Sequence, residues 1–166
     1  HPTGEASRMY SKYDEAQFGD SGYQCPEYGF WFIDHKVLIF DAHYTAYDGA
    51  MDAIYLAGLN GDDCYSRVTN FSINKMGRSA FVVAGGDNIY ISGDAYNSGL
   101  GSISSSPGHN FAIESEVRKI SNVVLEGVTA NEAKFSSFSI YRTQSNPVND
   151  IKVVNSYLSK DRKSTR

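Results

Sequence analysis

Short apolar segments alternate with polar clusters along the chain, and they fall into two recurring sets. The first is Phe30-Trp31-Phe32, Ile54-Tyr55-Leu56, Phe81-Val82-Val83, Phe111-Ala112-Ile113 and Phe138-Ser139-Ile140, at intervals of 24 to 30 residues. Apolar residues at i and i+2 have the period of a half-buried strand. The second set is Val37-Leu38-Ile39, Phe71-Ser72-Ile73, Ile89-Tyr90-Ile91, Val123-Val124-Leu125 and Ile151-Lys152-Val153. Asn70, Asn88, Asn122 and Asp150 precede four of these segments. An Asn or Asp at the same corner of stacked units tolerates a tight backbone and passes side-chain hydrogen bonds from one unit to the next. Only Asp48–Ala53 and Thr129–Lys134 have room for a helical turn.

Intervals this long, without two-residue Asn-Gly turns, exclude hairpins between copies of one set and call for parallel stacking. Like residues then lie above like residues, and Phe81, Phe111 and Phe138 form an internal aromatic column. Gly, Ser, Asn and Asp clusters of variable length separate the strands, as stacked repeats permit. Residues 28–158 carry the repeat, 1–27 are a polar, Tyr-rich cap or loop, and 159–166 are a charged tail or cut end. Short strands with turns also suit an antiparallel β-sandwich, the alternative fold.

Composition narrows the picture. The chain is 41% hydrophobic and 20% charged, with fifteen Gly, twelve Tyr and nine Phe, which suits a packed all-β domain. No apolar run approaches the ~20 residues of a membrane-spanning helix. A net charge of −4 advertises neither nucleic acid nor anionic membrane as partner. Cys25 and Cys64 form either one disulfide, in a secreted setting, or two buried thiols. No metal-ligand spacing occurs, so no metal site is expected. Asn70-Phe71-Ser72 is a formal glycosylation sequon placed inside an expected strand. The chain opens at His1, from which a processed or cut product is expected.

With Phe30, Ile54, Phe81, Phe111 and Phe138 inward, the alternate positions form an outer face of mostly small residues, readable as a groove. Trp31 and Tyr55 are expected side by side on it as an aromatic wall. Glu114 and Glu116, at i and i+2, would project from one face about 6.5 to 7 Å apart. That separation suits an acid and a base flanking a glycosidic bond with a water between them. His109, Tyr141 and Arg142 lie close enough in the pattern to bind the same substrate. The bland alternative is a solvated acidic edge paired with Arg118 and Lys119, worth little.

The repeat pattern resembles the right-handed parallel β-helix of the pectin-lyase-like superfamily, which includes polysaccharide hydrolases, lyases and phage tailspikes. The resemblance covers roughly residues 28 to 158 and is one of pattern rather than motif. Locally, Gly61-Asp62-Asp63-Cys64 is similar to a polygalacturonase stretch, and Pro107-Gly108-His109-Asn110 is a partial echo of its histidine motif. The resemblance implies a polysaccharide-degrading glycoside hydrolase, secreted or virion-associated, needing no cofactor. Its alternatives are a lyase, with calcium, and a non-catalytic glycan-binding fibre segment. It also implies more coils than are present, so a homotrimer or the remainder of a cut chain is expected to cover the last one.

Overall fold

The computed structural model describes residues 29–49, 51–101 and 108–159. The expected cap over 1–27, Cys25, Pro107 and the tail beyond Ser159 lie outside them. The described residues are all-β: β1 (Phe30–Ile33), β2 (Val37–Tyr47), β3 (Ile54–Ala57), β4 (Tyr65–Asn74), β5 (Phe81–Tyr96), β6 (His109–Glu114), β7 (Ile120–Glu126), β8 (Thr129–Asn131), β9 (Ser136–Tyr141), β10 (Val148–Val154) and β11 (Tyr157–Leu158). They form one curled sheet of eleven strands. Every pairing is parallel, which excludes the antiparallel sandwich over this part of the chain. Neither expected helical turn is seen among the described residues; Thr129–Asn131 is strand β8.

The strands lie in five successive ranks: β1 with β2, β3 with β4, β5 alone, β6 with β7 and β8, and β9 with β10 and β11. In the first arm of the sheet Phe30 pairs with Ile54, Ile54 with Phe81, Phe81 with Phe111, and Phe111 with Phe138. This is the register the sequence pattern implies. In the second arm Leu38 pairs with Ser66, Ser66 with Ile89, Ile89 with Val123, and Val123 with Ile151. Here the second rank differs from expectation. Its member is Tyr65–Val68, whereas Phe71–Ile73 belongs to a third stretch alongside Ala46, Ala95 and Ala130. A polar residue, Ser66, holds the inward position and breaks the apolar alternation; it is buried and bonds the His35 Nε2 at 2.8 Å.

The core lies between the arms. Ile54, Phe81 and Phe111 from one side meet Val68, Ile91 and Leu125 from the other, all at most 1% exposed. Phe81 and Phe111 keep ring centroids 6.2 Å apart, and Phe138 packs on the same cluster.

Corners are set by residues in the left-handed region. Eight of the eleven described non-glycine residues with positive φ are Asn or Asp, whose short polar side chains tolerate that region best. They fall in columns. Asn88, Asn122 and Asp150 (φ 54°, 54° and 52°) share one, and the Asn122 Nδ2 donates to the Asn88 Oδ1 at 2.6 Å. Asp48, Lys75, Asn97 and Glu132 (φ 56°, 57°, 55° and 55°) share another. A third holds His43, Asn70, Gly127 and Asn155. Asn70 therefore does not join Asn88 and Asn122. It is the extra residue of a bulge between Thr69 and Phe71, and its Nδ2 donates to Asp41. The third rank has no such residue there and passes Gly93 under the Phe71 ring, where a Cβ would approach carbon atoms to 2.7 Å.

The outer face of the first arm is not the open groove that its small residues suggest. Tyr55, Ala57, Val82, Ala84 and Ala112 form a second buried cluster. Small side chains let neighbouring chain come close. After β6 the Val117 and Arg118 N–H groups both donate to the Ala84 carbonyl. Arg118 then lies over Gly85 and reaches the Ala57 carbonyl and Asp34.

Candidate functional site

Three charged residues come together on that buried face. Asp52 precedes β3, Arg78 precedes β5 and Glu114 ends β6; they are 0%, 4% and 7% exposed. The Arg78 Nη1 lies 3.4 Å from the Asp52 Oδ2, and its Nη2 lies 3.5 Å from the Glu114 Oε2. The other Asp52 oxygen accepts the Ser79 N–H at 2.8 Å. One guanidinium thus faces two carboxylates taken out of water, where an ionised group left without a partner costs several kcal/mol.

The electrostatics follow from burial. Desolvation pushes the Asp52 carboxyl up to about 7, against the opposing pull of Arg78 and the Ser79 N–H; Glu114 and Glu116 add to the rise. The Glu114 carboxyl is raised as well, by burial first, with Arg78 opposing and Glu116 contributing. Both carboxyls therefore hold protons more tightly than their free counterparts, as a proton-donating group must. Glu114 keeps an accessible edge, while Asp52 has none and meets Arg78 and the Ser79 N–H.

The expected site residues distribute unevenly around this cluster. Glu114 pairs in register with Tyr141, which is 62% exposed, and Arg142 follows on the surface. Glu116 does not share a strand face with Glu114, because β6 ends at Glu114. The Glu116 N–H turns back to the Glu114 carbonyl at 2.6 Å, leaving Glu116 exposed. Trp31 and Tyr55 are paired neighbours as expected, but they are no common wall: Trp31 is 60% exposed and Tyr55 only 7%. His109 is buried, with its Nδ1 2.6 Å from the Ser136 Oγ and its ring edge-on to Phe135. Its N–H meets the Ser79 Oγ at 3.4 Å, so it touches the cluster through Ser79.

Other motifs stand apart. Asp62 and Asp63 are exposed in a turn, and Asp63 pairs with Lys36. Cys64 is a buried free thiol. Among the described residues no group of three or more His, Cys, Asp or Glu is placed to hold a metal ion. Asp52 and Arg78 were not expected from the pattern. The available signal was the lone carboxylate in Met51-Asp52-Ala53-Ile54, a charge inside an apolar run.

Compared with known proteins, the chain matches no protein-family model, no curated protein and no solved structure.

Proposed function

We propose that the five ranks are coils of a right-handed parallel β-helix of the pectin-lyase-like kind, and that the protein is a secreted or virion-associated glycoside hydrolase. The observation that carries this reading is Glu114: a carboxyl of raised proton affinity, fixed by Arg78, beside the exposed ring of Tyr141. In this reading Glu114 is the general acid and the exposed Glu116 the base that activates water. Trp31 and Tyr141 lie in the first and last ranks, four strand spacings or about 19 Å apart along the stack. A polysaccharide passing over the covered stretch between them reaches both rings, with Arg142 beside the second and His109 holding Ser136 at the other end of β9. No cofactor is needed; a lyase would instead add calcium and use Arg142 against a uronate carboxylate.

Two variants test the assignment. Glu114→Gln and Glu116→Gln should each lower release of reducing ends from polysaccharides by about a hundredfold or more while binding survives. Cleavage at the wild-type rate in both would refute the roles, and an unsaturated, ultraviolet-absorbing product would identify a lyase.

A second reading, a non-catalytic glycan-binding segment of a homotrimeric fibre, is favoured by one observation. Glu116 has left the strand, so the face presents one strand-borne carboxylate instead of two. Binding without cleavage, by a trimer in sedimentation, would select it.

A further inference from the structure

A different face carries an unassigned surface with its own chemistry. Beyond the corner column of His43, Asn70, Gly127 and Asn155, each rank except the third resumes as a short parallel stretch, and β5 runs straight through. Ala46, Ile73, Ala95 and Ala130 point into the core there, so their neighbours point out. One outward column reads Thr45, Ser72, Asp94, Thr129, Tyr157, and the next reads Tyr47, Asn74, Tyr96, Asn131.

Three features of this face converge. Tyr47 and Tyr96 share a column and are separated by two strand spacings, about 9.5 Å, with the Asn74 amide between them. Beside Thr45 and Ser72 lies a shallow, open depression of about 270 Å³, lined also by His43, Tyr44, Asn70 and Phe71. Two cations lie nearby, each against a ring: Lys75 over the Tyr47 ring at 5.4 Å, and the exposed Arg67 over the Tyr90 ring at 4.5 Å. Asp94 adds negative charge, and the chain carries −4 overall.

We propose that this face binds an uncharged oligosaccharide laid along the stacking direction, with one sugar in the depression and others on Tyr47 and Tyr96. Flat rings spaced along one column, with amides and hydroxyls between them, match the apolar faces and hydroxyl edges of successive sugars. Asp94 in the outward column and a net charge of −4 disfavour nucleic acid and uronate chains, and the Lys75 amine engages the Tyr47 ring. The backbone here is already paired in the sheet, so an extended peptide could not add as a strand. The site uses neither Glu114 nor Trp31 and stands whether or not the chain cleaves anything.

Affinity electrophoresis through gels containing xylan, galactomannan, starch or hydroxyethylcellulose, with polygalacturonate as the charged control, tests this. At least one neutral polymer should retard the protein. Tyr47→Ala and Tyr96→Ala should each weaken retardation about three- to tenfold, the scale of one lost ring contact, and together abolish it. Glu114→Gln should leave it unchanged even if it stops cleavage, which separates this site from the catalytic reading. Ser72→Phe, which fills the depression, is a second probe should an alanine variant lose its fold, and it should weaken retardation too. Retardation by polygalacturonate alone, by no polymer, or equally in all the tyrosine and Ser72 variants would overturn the proposal.

Discussion

Arg78 is the residue on which the buried charges of the first arm depend. It faces the carboxylates of Asp52 and Glu114 on a face otherwise closed by alanine, valine and tyrosine. Arg78→Met keeps much of the stem's packing and removes the charge. At pH 8 it should cost about 3–5 kcal/mol, the scale of stranding a buried partner, and less at pH 5, where the Asp52 carboxyl is neutral. Denaturant midpoints at the two pH values check this; equal losses would mean that Arg78 works by packing alone. The sign follows from linkage. The folded Asp52 value of about 7 lies above its ordinary 3.8, so the folded protein binds more protons than the unfolded chain between those values. Its contribution to stability is full below the lower value and is lost as pH rises through the upper one. Asp52→Asn should therefore flatten the fall in stability between about pH 4 and 7.

At the scale of elements, the corners decide where each strand turns. Asn122 occupies the left-handed region and bonds Asn88 in the rank before it. Asn122→Val should cost about 1–2 kcal/mol from backbone strain alone, whereas Asn122→Gly should cost less, losing the hydrogen bond but not the conformation. Equal effects on melting would show that the side-chain bond, not the backbone, fixes the corner. These corners also show what the sequence reveals and hides. The first arm is readable because Phe81, Phe111 and Phe138 recur at one register with aliphatic partners two residues on. The second rank of the other arm is hidden because Ser66 replaces an apolar residue and satisfies itself on His35. The spacing of Glu114 and Glu116 is likewise misleading. Alternation runs on in the sequence, but the backbone leaves the strand once the Val117 and Arg118 N–H groups find the Ala84 carbonyl. Asp52 and Arg78 are far apart in sequence, and only the register of β3 beside β5 brings them together.

At the scale of the molecule, stability is graded along the stack. The third rank is a single strand, β5, covered on both sides, and its Phe81, Val83, Ile89 and Ile91 are at most 1% exposed. The last rank keeps the same inward positions without a neighbour beyond them among the described residues. Ile140 is 52% exposed, Val153 40% and Leu158 37%, while their partners Ile113, Leu125 and Ala130 are at most 1% exposed. Ranks that contact only their neighbours open from the ends. Amide hydrogen exchange should be slowest in β5 and fastest in β10 and β11; uniform protection would instead indicate one cooperative block.

Among the described residues the last rank has no partner strand beyond it, and that edge has a consequence for association. The outer edges of β9 and β10 hold backbone donors and acceptors aligned for one more strand, which is the geometry from which cross-β aggregates grow. What restrains them is visible at the same edge. Arg142 and Gln144 follow β9, and Asn149, Asp150 and Lys152 interrupt the apolar run of β10. These residues serve as gatekeepers, keeping an edge that could accept a strand from accepting an arbitrary one.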